Sequence, residues 1–401
     1  IGEGGRGFDV FQKGSDTTHH YPSSQKLWEL CAKNGDIYKK EYEGLYCVGC
    51  EAFYALEELD EKGQCFEHPG KKLDKVSEEN YFFRLSKYQK QLIELIKNDT
   101  LKIVPEKRKN EVLAFLERGL DDISISRSNE RAKNWGVPVP NDSKQRIYVW
   151  FDALNIYQSG VGFGWDEKTY KKWWPTDVHV IGKGITRFHA VYWPAFLLSA
   201  HLALPKTIFV HEYFTVNGQK MSKTLGNVID PLDLITKYGA DPLRYYFLAK
   251  FSPFHDGNFS EGEFKKTYNA DLANGLGNLI SRIAKLCEQN GINEQFDSSK
   301  QKLKPEVQKY LDKFEFSQAL GYIWRSEIRW GLKWLDQDIN NEKPWQIVDK
   351  KLLKLKLHVY VSTLRDIAYN LSPFLPQTAK KILDQFNGTI KSRPPLFPRL
   401  S

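Results

Sequence analysis

A single methionine, Met221, occurs in this chain, and the first residue is Ile1. The chain is therefore expected not to begin where translation began. Long apolar runs are also missing. No stretch could span a bilayer as a helix, and no signal-peptide pattern opens the sequence. Internal repeats and low-complexity tracts are absent too, so a globular reading is appropriate. Cysteine is scarce, at five in 401 residues. What remains is ordinary for a soluble protein: 41% hydrophobic, 27% charged, and long enough for two or three cores. The net charge of +8 permits a polyanionic partner without demanding one. Lys350, Lys351, Lys354 and Lys356 form one basic run, read as a solvated helix face.

Three of the five cysteines cluster. Cys47 and Cys50 form a C-x2-C turn, and Cys65 and His68 a C-x2-H turn after fourteen intervening residues. Each pair can aim two ligands at one point, so the four predict a closed Cys3His zinc site. Closed coordination leaves no place for water, which makes the metal structural. With a histidine as the fourth member, two disulfides within the cluster are excluded. Cys31 and Cys287 stand alone and read as core residues. Thiols and a thiolate metal site together predict a reducing, cytoplasmic location.

Coarse patterning divides the chain into four parts. Residues 1–35 hold one helix, about Ser23 to Asn34, closed by Gly35. Residues 36–120 carry the cysteine cluster, a helix from a candidate cap at Ser86, and another over about Asn110–Arg118. Residues 121–264 return to alternating strand and helix. Strands are expected over Ile123–Arg127, Tyr148–Phe151, Val178–Ile181 and Thr207–Tyr213, with a helix over about Thr186–Leu202. That order implies a parallel sheet with ligands at the strand ends. After about Phe264 the strand signal vanishes, and residues 265–401 read as a helical bundle. Its segments are Thr267–Asn290, Pro305–Lys313, Phe316–Asn340, Trp345–Leu371 and Leu375–Asn387.

Around Met221 lies the most informative string, Gly218-Gln219-Lys220-Met221-Ser222-Lys223-Thr224-Leu225-Gly226-Asn227. An Asn217–Gly218 turn precedes it, Asp230-Pro231 caps a helix after it, and Asp241-Pro242 is expected to repeat that cap. Two ammonium groups on one loop suit an enzyme that neutralises polyphosphate charge in a transition state.

The string resembles the K-M-S-K-S loop of class I aminoacyl-tRNA synthetases, with Thr224 in place of the last serine. Three further strings narrow the resemblance to the methionyl-tRNA synthetase family. They are Ile147-Tyr148-Val149-Trp150-Phe151-Asp152-Ala153-Leu154, Ile181-Gly182-Lys183-Gly184-Ile185-Thr186-Arg187-Phe188-His189, and the segment from Ala270 to Arg282. The fold implied is α/β: an incomplete Rossmann-type catalytic domain with a zinc-bearing insertion, then an all-α anticodon-binding bundle. The resemblance implies a methionine pocket from Trp150, Ala153, Leu154, Tyr157, Ile185 and His189. It implies ATP contacts at Gly182, Lys220, Met221, Ser222 and Lys223, with Lys220 and Lys223 catalytic, and anticodon contacts at Asn278, Arg282 and Trp345. ATP with Mg2+, L-methionine and tRNA(Met) are the implied ligands, and no membrane is involved.

Two departures stand out. The family's H-I-G-H motif is nowhere in these residues, since His19-His20 lacks its glycine and preceding strand. Gly184 replaces an aspartate near the ATP ribose, and glycine has no side chain to accept a hydroxyl. The chain as written is therefore expected to be a fragment that does not form adenylate alone. The alternative is a non-catalytic tRNA-binding paralogue.

Overall fold

In the computed structural model, which describes residues 8–49, 52–54, 59–65, 70–221, 226–325 and 330–401, the chain parts after His211 into two units. Each unit has its own apolar core.

In the first unit, α1 (His20–Lys33) buries Leu27, Trp28 and Cys31 and stops where Gly35 takes φ +76°. That left-handed conformation suits glycine. The helix starts before Ser23 because Asp16 organises the turn ahead of it, accepting the Thr18 and His19 N–H groups. β1 (Ile37–Cys47) pairs at its far end with β2 (Ala52–Tyr54) and along its length with β3 (Asp74–Phe83), both antiparallel. A 3-10 turn over Leu85–Tyr88 then leads into α2 (Gln89–Lys97). Ser86 is thus not a helix cap, and its hydroxyl donates instead to Asp122 at 2.6 Å. Tyr88, Leu92 and Ile96 share the buried face that their spacing predicts.

β4 (Lys102–Val104), a strand not read from the sequence, precedes α3 (Glu106–Glu117). The single strand expected over Ile123–Arg127 is two. β5 (Ile123–Ser124) pairs with β3, whereas β6 (Ser126–Ser128) joins a sheet with β7 (Pro138–Val139) and β8 (Asp142–Ile147). The strand expected over Tyr148–Phe151 is replaced by helix α4 (Val149–Leu154). A short aromatic and β-branched run fits either period. Tyr148 donates a last sheet bond to Ile125 O (2.8 Å), then accepts from the Phe151 and Asp152 N–H groups and starts the helix. Contacts to α1 hold it there: Ser24 Oγ donates to Asp152 (2.7 Å), and Asn155 Nδ2 donates to Ser23 Oγ (2.9 Å).

After α5 (Ile156–Ser159) and α6 (Glu167–Trp173, capped by Asp166) come β9 (Val178–Gly182), α7 (Trp193–Ser199) and β10 (Thr207–His211). β4, β10 and β9 form a parallel sheet in that order, with His211 opposite Gly182. The helix expected over Thr186–Leu202 is composite, with a π-helical turn at Phe188–Tyr192 running into α7.

In the second unit, β11 (Phe214–Val216) and β12 (Gln219–Lys220) make a hairpin around Asn217 and Gly218, at φ +50° and +80°. Both positive angles are what a two-residue Asn-Gly hairpin requires. α8 (Pro231–Tyr238) is capped by Asp230, which accepts Leu232 N–H at 2.8 Å. Asp241 does not repeat that device. α9 (Ala240–Lys250) already includes it, and its buried carboxylate accepts Thr378 N–H at 2.6 Å, capping a helix far along the chain.

β13 (Gly257–Phe259) pairs parallel with β11. Then follow α10 (Glu261–Thr267), π-helical turns to Gly277, α11 (Asn278–Gln289), β14 (Asn293–Glu294) and α12 (Pro305–Asp312). The chain continues through α13 (Phe316–Arg325), α14 (Leu332–Glu342), α15 (Lys350–Leu371), α16 (Pro376–Gln385) and β15 (Gly388–Thr389). The helix expected over Phe316–Asn340 is two, with Gly331 at φ +99° before the second. Strands do not vanish either, since β14 and β15 pair antiparallel. Leu276, Ile283, Leu335, Leu357 and Leu364 are fully buried between these helices. Lys350, Lys351 and Lys354 lie exposed on α15, and Lys356 meets Glu342 at 2.8 Å, as a solvated face should.

Candidate functional site

α4 and α5 carry Trp150, Ala153, Leu154 and Tyr157 at the i, i+3, i+4, i+7 spacing that places side chains on one helical side. The turn after β9 carries Ile185 and His189. The structure brings these two groups together. Tyr157 Oη lies 2.8 Å from His189 Nε2, and His189 Nδ1 lies 3.0 Å from Ile185 O. A carbonyl can only accept, so Nδ1 carries the proton, and Nε2 accepts from the tyrosine hydroxyl. Burial keeps both partners uncharged. It lowers the His189 pKa against the opposing bond to Ile185, and it raises that of the Tyr157 phenol.

Trp150 stands edge-on to His189, with ring centroids 6.4 Å apart and planes at 77°. Its other neighbour is Phe188, stacked at 3.8 Å and 7°. Leu154 and His189 are buried, whereas Trp150, Ala153, Tyr157 and Ile185 are half-buried. Beneath them, His179 of β9 lies 4.2 Å from the Tyr157 ring and accepts the Trp193 indole N–H at 3.2 Å. Burial, with the neighbouring His189 adding to it, pushes His179 down to about 3. Phe188 and His179 were not foreseen as part of this cage. The only signal available was the aromatic density between Tyr157 and Trp193.

The lysine segment begins in regular structure. Lys220 is exposed on β12, opposite Thr215, and its carbonyl accepts from Asn227 Nδ2 at 3.1 Å. Met221 is 37% exposed. Ser222 and Lys223 lie outside the described residues. In the helical part, Asn278 and Arg282 lie four residues apart on α11. The Arg282 guanidinium donates to Asp336 (2.8 Å) and Asn340 (2.7 Å) and reaches within 5.9 Å of the Trp345 ring centroid. Trp345 is 54% exposed in a 3-10 turn that Pro344 begins.

A family model described as tRNA synthetases class I (M) matches residues 5–284. The methionine–tRNA ligase of Brucella suis is 40% identical over 387 residues, covering 91% of this chain and 72% of that protein. The chain belongs to the methionyl-tRNA synthetase family. The methionine–tRNA ligase of Synechocystis sp. is similarly 40% identical, over 95% of this chain and 74% of its own length. Among solved structures, Mycobacterium tuberculosis methionyl-tRNA synthetase bound by methionyl-adenylate aligns with a TM-score of 0.87 at 31% identity. That alignment covers 98% of this chain and 83% of the other. The apo form of the same enzyme gives 0.82 at 30% identity.

Like these methionyl-tRNA synthetases, the chain has an α/β fold. No described helix is long and apolar enough to cross a membrane. Of the four cysteine-cluster residues, Cys47 and Cys65 are described, and both are buried. Cys47 closes β1, and Cys65 follows a tight turn in which Gly63 takes φ +70°. Their sulfurs are 3.2 Å apart. That is well beyond the roughly 2.05 Å of a disulfide and shorter than the roughly 3.8 Å that two thiolates about 2.3 Å from one tetrahedral ion would adopt. Cys50 and His68 fall outside the described residues. Among the described residues no three potential ligands converge.

Proposed function

We propose that this chain carries the methionine pocket, the triphosphate-binding lysines and the anticodon-reading surface of a methionine–tRNA ligase. The observation that carries the reading is the uncharged aromatic cage of Trp150, Tyr157 and His189 in a member of this family. A thioether is unbranched and polarizable and gains from aromatic edges, so such walls select it over a branched aliphatic side chain. The aligned Mycobacterium tuberculosis enzyme was solved with methionyl-adenylate, and that supports the assignment.

In the reaction proposed, the methionine carboxylate attacks the α-phosphorus of ATP. The new acyl–phosphate bond forms as the bond to the bridging oxygen breaks, and pyrophosphate leaves. A ribose hydroxyl at the tRNA(Met) terminus then takes the acyl group, and AMP departs. Lys220 and Lys223, with Met221 and Ser222 between them, neutralise charge building on the leaving pyrophosphate. Gly182, at the end of β9, allows close approach of the nucleotide. Mg2+ accompanying ATP would share the phosphate charge. Trp345 and Arg282, with Asn278, offer an indole face and a fixed guanidinium to unstacked anticodon bases. Cys47, Cys50, Cys65 and His68 would hold a structural zinc that crosslinks the β1 end to the following turn. The protein would act in the cytoplasm.

The test is a titration of the chain with methionine and leucine, followed by tryptophan fluorescence. Methionine should bind at least tenfold more tightly, and equal affinities would overturn the pocket assignment. Tight tRNA(Met) binding without any methionine binding would establish the non-catalytic paralogue, a reading the intact Arg282–Trp345 pair also accommodates.

A further inference from the structure

The lysine hairpin is short for the task assigned to it. β11 and β12 share only two residue pairs, Thr215 with Lys220 and Val216 with Gln219. An isolated ladder of that length does not hold its own register. Something beyond the hairpin must hold it, and β13 lies on the free edge of β11.

β13 ties down both amides of the turn. Phe259 O accepts Asn217 N–H at 3.1 Å, and Asn258 Oδ1 accepts Gly218 N–H at 2.7 Å. The first is a backbone bond that any residue at 259 could accept. The second depends on a side chain. The Thr215 hydroxyl, with one proton to give, lies 3.1 Å from both this Asn258 Oδ1 and Gly257 O. Asn258 faces Thr215 in the parallel register, and Thr215 faces Lys220 across the hairpin. The three residues therefore occupy one rung of the sheet, with Lys220 at its outer end. At the far side of the loop, Asn227 Nδ2 closes onto Lys220 O at 3.1 Å.

We propose that Asn258 is the positioning residue of the lysine loop, its side-chain carbonyl fixing the turn and register that set the place of Lys220. The inference rests on the reading of Lys220 as a triphosphate ligand. Asn258 itself touches no substrate. It acts by tying the left-handed Gly218 amide to the strand that leads into α10, so that Lys220 is held in place before ATP arrives. A pre-ordered ammonium group loses less freedom on binding a phosphate than one on a fraying hairpin.

Hydrogen exchange on the full chain tests this directly. In Asn258→Ala the Gly218–Met221 segment should exchange about tenfold faster, the scale of one lost hydrogen bond. Asn258→Asp keeps an acceptor in the same place and should restore slow exchange. ATP affinity of Asn258→Ala, by calorimetry, should fall several-fold, with methionine affinity unchanged. Unchanged exchange in Asn258→Ala would overturn the proposal, as would an equal loss of methionine affinity, which would mark general damage. A Lys220→Ala control separates the two readings. If that variant binds ATP as well as the unaltered chain does, the role of Lys220 fails, and exchange alone decides the role of Asn258.

Discussion

Tyr157 and His189 show how one hydrogen bond can set the character of a pocket. The hydroxyl satisfies the imidazole nitrogen left without a proton by the bond to Ile185. Tyr157→Phe leaves that nitrogen buried without a donor, at a cost of about 1–3 kcal/mol. Methionine affinity should fall about tenfold, as read by titration, with the ring still in place. A second residue-scale prediction concerns Asp36, which is fully buried. It accepts from Lys87 (2.7 Å), Ser199 (2.8 Å), Asn34 (2.8 Å) and the Tyr88 hydroxyl. Burial alone would raise its pKa, but those four donors outweigh burial and hold it below the ordinary carboxylate value. A depressed folded pKa contributes stability above the unfolded value of about 3.9. That contribution is lost as pH falls through the folded value. Asp36→Ala should cost about 3 kcal/mol near neutrality. Urea midpoints of variant and parent should converge below about pH 4.

At the scale of elements, local rules held where the chain is its own partner. The Asn217–Gly218 turn, the Asp230 cap and the Gly35 stop all fall where their residue types place them. They failed where a distant element supplies the partner. Val149–Leu154 is helical because Asp152 and Asn155 bond to serines of α1, which no four-residue window can reveal. Asp241 resembles a local cap and serves a remote one. Asp241→Ala should unfasten the start of α16, at a cost of about 2 kcal/mol. That corresponds to a fall of roughly 4 °C in melting temperature for a unit of this size. Asp230→Ala, which removes only an exposed cap, should cost about half as much. A larger loss at position 230 than at 241 would contradict this ordering.

For the molecule as a whole, metal content is the sharpest open prediction. The purified chain should contain about one zinc per polypeptide, by plasma mass spectrometry. Chelation should lower the melting temperature, because binding energy at such a site is folding energy. Cys47→Ser should abolish the metal, whereas Cys31→Ser and Cys287→Ser should not. Burial pushes the thiols of Cys31 and Cys287 up to about 12, so they remain inert core groups. Metal retained in Cys47→Ser would refute the ligand set.

The family was legible in short strings, because paired lysines after an Asn-Gly hairpin turn and a run of aromatics on one helical side each need particular residue types at fixed spacing. Of the parallel sheet, β9 and β10 were legible as apolar strand runs, whereas the run at Tyr148–Phe151 was too short for its period to separate strand from helix. Tertiary structure alone decided that Phe188 stacks on Trp150, that His179 underlies Tyr157, and that β4 completes the sheet. It also decided that Asn258 shares a rung with Lys220. These juxtapositions join residues tens of positions apart, or more. Nothing in a local pattern encodes them, because their free energy arises only when separate elements pack.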